Sequence, residues 1–109
     1  MPFYLHQWSY KDQQIRKMLT EETDRSEVVR VAIEAFGGKL HSFFYCFGQY
    51  DGLAISEFEN STAAFAAVLA ITGQGRVSTA QTTALFSAEE GLQAMREAHL
   101  AIGQKRNPP

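Results

Sequence analysis

The sequence predicts one α+β domain built on an antiparallel sheet of four strands, and three observations lead to this prediction. Residues 39–47 and 52–58 are rich in aromatic and β-branched side chains, and Gly48 lies in the turn between them, which is typical of a β-hairpin. Apolar residues spaced three and four apart mark helices that end in glycine. The length of 109 residues fits a single domain with a sizeable core.

The chain begins with an alternating segment. Residues 3–10 place their side chains on two sides with a period of two, which predicts the first strand. Apolar residues at helical spacing then predict a short helix over 11–19, with Asp12 as its cap, and the polar residues 20–23 form a joint.

The second helix has clear boundaries. Asp24-Arg25-Ser26-Glu27 has the spacing of a capping box, and Gly37-Gly38 ends the helix because glycine adopts a left-handed cap at least cost. We expect its apolar stripe to pack on the sheet; the stripe consists of Val28, Val31, Ala32, Ala35 and Phe36.

Two helices and one strand follow the hairpin. We expect Asn60 or Ser61 to cap an alanine-rich helix over 63–71, and residues 76–86 predict the fourth strand. Ser87-Ala88-Glu89-Glu90 is a second capping box and predicts the start of the last helix. The apolar stripe of that helix is formed by Leu92, Met95, His99 and Ile102.

The element order β-α-β-β-α-β-α matches two split βαβ units, followed by a C-terminal helix. Right-handed crossovers then give a ferredoxin-like sheet with strands one and three central and helices on one face. We expect residues 1–103 to form this domain and 104–109 a polar tail. The uncovered face is expected to pack on a second copy, in a homodimer or higher oligomer.

Four short motifs occur in order at intervals that resemble those of the GYD-domain family of small bacterial proteins, over residues 1–100. The resemblance implies a ferredoxin-like fold related to dimeric α/β-barrel proteins, without an established activity. His6, Trp8 and Gly52 stand where ordinary strand residues are expected in the family. Lys11 replaces the small hydroxyl residue that usually caps the first helix. The motifs are Met1-Pro2-x-Tyr4, Asp12-Gln13-x-Ile15-Arg16, Gly37-Gly38-Lys39-Leu40 and Gly48-x-Tyr50-Asp51.

Composition argues against several partners. A net charge of −2 and a pI near 5.9 give no electrostatic reason to expect binding to nucleic acid or to an anionic membrane surface. No stretch is apolar enough to span a membrane. The single cysteine, Cys46, is expected to be an inert thiol in a reducing compartment, so we expect a cytoplasmic protein.

A cavity is predicted where small side chains lie under large ones. Ala54 and Ser56 would leave space beneath neighbouring strands, provided that they face away from the helices together with the aromatic side of the first strand. The residues expected to line such a cavity are Tyr4, His6, Trp8, His41, Phe43 and Tyr45.

His6 and His41 are the candidates for chemistry, because imidazole titrates near neutral pH. With strand three between them they would stand about 10 Å apart, at two ends of one pocket and too far apart for one metal ion. A hydrogen-bonded or interface role is favoured for both, and no metal or cofactor is expected. Tyr50 and Asp51 could form a polar ligand site, although Asp is common in turns for structural reasons.

Three functions stay open at this point. The favoured hypothesis is a homo-oligomeric domain of unassigned function, whose aromatic residues such as Trp8 serve an interface and which has a pocket for a small molecule at most. The alternative is a cofactor-independent monooxygenase or isomerase acting on a small aromatic or carbonyl compound, with His6 or His41 as proton carrier. A small-ligand sensor would use the same pocket without proton chemistry.

Overall fold

The computed structural model describes residues 1–105 and confirms the α+β architecture. The last helix continues past Gly103 to Lys105, and residues 106–109 of the predicted tail lie outside the described part. In chain order the elements are β1 (Phe3–Tyr10), α1 (Asp12–Glu21), α2 (Arg25–Ala35), β2 (Lys39–Tyr45), β3 (Gly52–Glu57), α3 (Ser61–Thr72), β4 (Val77–Leu85) and α4 (Ala88–Lys105).

The strands form one sheet in the order β2-β3-β1-β4, and each neighbouring pair is antiparallel. Strands β1 and β3 are therefore central, as predicted. The register sets large side chains of β1 opposite small residues of β3. The three pairs are Tyr4 with Ser56, His6 with Ala54 and Trp8 with Gly52.

Helices α2 and α3 pack on the sheet face that carries the even-numbered side chains of β1 and β3, which we call the helix face. Tyr4 belongs to a core cluster with Ile33 of α2 and Phe58, and Ala54 is completely buried. The opposite side, with the odd-numbered residues of β1 and β3, is the free face. The expectation that the aromatic side of β1 lies on the free face is therefore wrong.

The physical reason for this reversal lies in side-chain volume. Gly52, Ala54 and Ser56 are too small to fill the space under the helices alone, and the large side chains of β1 beside them fill it. A Cβ added to Gly52 would stand 2.6 Å from the Trp8 indole, so the two residues fit only as a pair. Small and large neighbours thus form one continuous layer.

Helix α2 packs on the sheet through a different stripe from the one predicted. Ile33 is almost fully buried and Val29 packs against the same core, whereas Val31 and Phe36 of the predicted stripe are exposed. The helix has apolar residues on two overlapping faces, so periodicity alone selects the wrong one. The predicted face instead borders a cavity described below.

Two of the predicted helix caps are confirmed in full. The Asn60 side chain accepts a hydrogen bond of 2.9 Å from the Ala63 amide at the start of α3. At the start of α4, the Ser87 hydroxyl accepts from the Glu90 amide (3.0 Å), and the Glu90 carboxylate accepts from the Ser87 amide (2.9 Å). This reciprocal pair is a complete capping box.

The two N-terminal helices begin differently from the prediction. Lys11, not Asp12, occupies the cap position of α1, and its side chain makes no capping hydrogen bond. Asp24 caps α2 by accepting from the amide two residues on, but Glu27 does not close the capping box. Instead Glu27 forms an ion pair with Arg30, three residues further along the helix.

Helix α4 extends away from the sheet. All its residues from 92 to 103 are exposed, including His99 of the predicted apolar stripe. The radius of gyration is 18.0 Å over extents of 65 × 28 × 22 Å, whereas a compact chain of this size would have about 13 Å. None of the helices in the described residues has the combination of length and apolar character needed to cross a membrane.

Candidate functional site

A cavity of about 460 Å³ lies between the helix face of β1 and β4 and the helices α2 and α3. It exists because α2 and α3 cover the central strands and leave the outer strand β4 largely exposed. Two of the β4 residues that border it, Ala80 and Thr82, are small and leave space beneath the helices. Its floor and walls include His6, Trp8, Tyr10, Ala80 and Thr82 from the sheet, and Val28, Ala32, Val68 and Ile71 from the helices.

His6 lies on the floor of this cavity with both ring nitrogens hydrogen-bonded. Nε2 is 2.6 Å from the Ser56 hydroxyl and Nδ1 is 3.0 Å from the Thr82 hydroxyl. Burial lowers the pKa of His6 from 6.5 to about 4, because a charged imidazole loses its hydration there. At neutral pH the ring is therefore uncharged, with one nitrogen donating and the other accepting.

His41 lies on the other side of the sheet. Its Nε2 is 2.7 Å from a carboxylate oxygen of Glu57, and its ring stacks on Phe3 at a centroid distance of 4.9 Å. The prediction that His6 and His41 occupy two ends of one pocket is therefore wrong. The bulge between Leu40 and Ser42 in β2 interrupts the alternation that the prediction assumed.

Only part of the predicted aromatic lining borders the cavity. Trp8 does, whereas Tyr4 lies in the core and shares a hydrogen bond of 3.0 Å with the Ser61 hydroxyl. Phe43 packs on Trp8 at 5.5 Å between centroids, and Tyr45 meets Phe43 edge-on at 5.1 Å. These two rings extend the aromatic layer away from the cavity, toward the sheet edge.

Ser56 lies beneath the floor of the cavity and contacts His6 from there. It is fully buried, so it cannot touch a ligand, but its hydroxyl fixes the ring of His6. The sequence singled out the position for the space it would leave. The structure gives it a positioning role for His6 instead.

Tyr50 and Asp51 hold the end of the hairpin against its neighbours. The Asp51 carboxylate accepts from the Tyr10 amide (2.9 Å), and its own amide donates to the Trp8 carbonyl (2.8 Å). The Tyr50 hydroxyl donates to Gln81 at 2.7 Å, and its carbonyl accepts from the Cys46 thiol at 3.2 Å. These hydrogen bonds join the end of the hairpin to β1 and β4, so the geometry favours the structural interpretation.

Several polar residues of the cavity do not follow from the sequence reasoning, and Thr82 and Arg25 are two of them. Thr82 was one of many hydroxyl residues in a strand, and only the pairing of β1 with β4 places it opposite His6. Arg25 lies in the first turn of α2 and borders the cavity. Within residues 1–105, no group of three side chains of His, Cys, Asp or Glu is arranged to hold a metal ion.

Solved structures with this fold share little sequence with the chain. The crystal structure of TTHA0845 from Thermus thermophilus matches with a TM-score of 0.55 and 16% identity, over 81% of this chain and 96% of that one. The crystal structure of FFRP-DM1 matches with a TM-score of 0.51 and 10% identity, over 79% of this chain and 100% of that one. The crystal structure of Atu4242 from Agrobacterium tumefaciens matches with a TM-score of 0.51 and 13% identity, over 81% of this chain and 94% of that one.

These structural likenesses show the fold alone, and no curated protein matches the chain. The sequence itself gives the more specific result. The model of the GYD domain matches residues 4–95, which include the central strands, the hairpin with Tyr50 and Asp51, and the whole of the cavity floor. The chain therefore belongs to the GYD-domain family.

Proposed function

We propose that this chain works as a homo-oligomer in which the free face packs on the same face of a second copy. The observation that carries the proposal is the exposure of large apolar side chains on that side. Phe44 is 59% exposed and Phe3 37%, and Leu53 and Ile55 lie between them at the centre of the sheet. Contiguous apolar surface of this kind is usually covered in solution.

A second copy is the occupant that the molecule favours. An antiparallel sheet face can meet its own copy around a two-fold axis, and a net charge of −2 opposes such pairing only weakly. Helix α4 adds a second uncovered surface, with Leu92, Met95 and Ile102 exposed along one side. A helix whose residues from 92 to 103 are all exposed is suited to reach a neighbouring copy.

Sedimentation velocity at micromolar concentration tests the proposal. Wild-type protein is expected to sediment as a dimer or higher oligomer, and Ile55→Arg as a monomer, because the substitution places a charge at the centre of the free face. The matched control is Phe65→Arg, at an exposed site of α3 on the opposite side of the sheet, which should leave the oligomer intact. A strictly monomeric wild type would reject the proposal.

We also infer a second function, the binding of a small molecule in the cavity. Its volume of about 460 Å³ lies within the usual range of ligand sites, and its lining is mainly apolar with a few polar groups. Trp8 is the single tryptophan and borders the cavity, so its fluorescence should report occupancy. Decanol is a suitable neutral probe, and Ala80→Phe, which fills the cavity, should abolish its saturable effect.

An enzyme of the monooxygenase or isomerase kind stays an alternative, with His6 as the proton carrier. A pKa of about 4 makes the neutral ring a weak base, and both nitrogens already have partners. This environment favours a hydrogen-bonding role for His6, and with it the sensor over the enzyme. A bound compound that is recovered chemically unchanged would support the sensor. A reaction product that the wild-type protein forms and the His6→Asn variant does not form would support the enzyme.

A further inference from the structure

One end of the cavity carries positive charge. Arg25 from the start of α2 and Arg76 just before β4 both border it, beside Tyr10 at the end of β1. Burial raises the pKa of the Tyr10 phenol, and the positive charge of Arg25 offsets part of this rise. The rest of the wall is formed mainly by valine, alanine and isoleucine.

The guanidinium of Arg25 lacks a partner of opposite charge. Among the described residues its Nε is a buried side-chain nitrogen without a hydrogen bond, and none of the ion pairs formed there includes Arg25 or Arg76. Glu27 also borders the cavity, but its carboxylate is bonded to Arg30. Because that nitrogen is shielded from solvent, the donors left for a ligand are those of the two terminal guanidinium nitrogens of Arg25.

We propose that the cavity binds amphipathic carboxylic acids, with the apolar body on Trp8, Val28 and Ile71 and the carboxylate on Arg25. The guanidinium offers donors in a planar fork that matches a carboxylate. Arg76, whose side chain donates to Gln74, adds a second positive charge at the same end. The inference rests on the proposed ligand-binding function and names its ligand class.

Comparison of decanoate with decanol tests the proposal, because the two probes share one chain and differ in the head group. Trp8 fluorescence is titrated with each. Wild-type protein is expected to bind decanoate about tenfold or more tightly than decanol, the gain typical of a hydrogen bond to a charged group. Arg25→Gln should remove this preference, and Arg25→Lys, which keeps the charge and loses the fork, should restore it in part.

Two controls locate the effect. Arg16→Gln removes an exposed arginine of α1 outside the cavity and should keep the preference for decanoate. Ala80→Phe should abolish binding of both probes if they enter the cavity. The thermal transition of each variant establishes that it is folded.

The outcomes separate this inference from the function on which it rests. Equal affinity of wild-type protein for decanoate and decanol, or a preference that survives Arg25→Gln, overturns the carboxylate site and leaves ligand binding standing. No saturable response to either probe overturns ligand binding itself. A preference that disappears in Arg25→Gln and survives in Arg16→Gln supports both.

Discussion

His6 is a polar residue in a half-buried position, and its titration links the cavity to the stability of the fold. The pKa of His6 is lowered to about 4 in the folded protein, against 6.5 for a free side chain. Between these values the unfolded chain binds a proton that the folded chain excludes. This contribution to stability is therefore fully present above pH 6.5 and is lost as the pH falls toward 4.

We expect the free energy of unfolding to lose about 2 kcal/mol through His6 between about pH 7.5 and pH 5. Urea unfolding at both pH values measures the loss, and His6→Asn should flatten the slope because asparagine does not titrate. His99→Asn, at an exposed histidine of α4, is the control and should keep the wild-type slope. Identical slopes for all three proteins would contradict the burial argument.

Gly52 and Trp8 are coupled by direct contact. A methyl group at Gly52 would overlap the indole, so Gly52→Ala should cost about 1–3 kcal/mol of unfolding free energy. In the background of Trp8→Leu the same substitution should cost markedly less, because the overlap is removed. Gly91→Ala in α4, where an added Cβ meets nothing within 4 Å, is the control and should not destabilise. Equal costs in both backgrounds would contradict the pairing.

The floor of the cavity shows how far single residues can be interpreted from sequence. The alternation of β1 predicts a strand correctly, but aromatic residues occur on both of its sides, so it does not say which side meets the helices. A signal was present in the partner strand. Gly52, Ala54 and Ser56 are small at every second position, and such a row favours large residues on the strand beside it.

At the scale of elements, the ends of helices were easier to predict than the faces that they bury. Caps are local, and the hydrogen bonds of Asn60 and Ser87 follow from neighbouring residues alone. The buried face of α2 depends on where α3 and the sheet lie, and its sequence permits two choices. The cavity depends on three elements together, so no segment of the chain predicts it.

Helix α4 relies on local interactions because it lacks tertiary packing in the single chain. An isolated helix of its 18 residues is marginal in water, so its capping box should matter more than usual. Ser87→Ala is expected to cost about 1 kcal/mol of helix stability and to speed amide exchange over residues 92–103. Hydrogen exchange under monomeric conditions measures this, with exposed Gln93→Ala as the control, which should leave exchange no faster.

At the scale of the whole molecule, the fold class, the central strands and the family all followed from the sequence. They depend on the order of elements and on short motifs that local chemistry determines. Assembly does not follow in the same way. The sequence predicts an apolar stripe on α4. Whether a partner covers that stripe depends on contacts with another chain, which the periodicity of one sequence does not contain.

The separation of α4 from the domain gives a prediction for the whole chain. A chain shortened to residues 1–87 should unfold with a free energy within about 0.5 kcal/mol of the full chain when both are monomeric. Thermal and urea unfolding at low concentration measure this difference. A large loss of stability would mean that α4 folds back on its own domain.

Neighbouring residues of β1 lie on opposite faces of the sheet. Phe3 and Leu5 belong to the free face, while His6 and Trp8 border the cavity. Under the proposed function, the odd positions of this strand serve assembly and the even positions serve the ligand. A lineage could change what it binds by substitutions at even positions and keep its quaternary structure, or the reverse, without a conflict between the two.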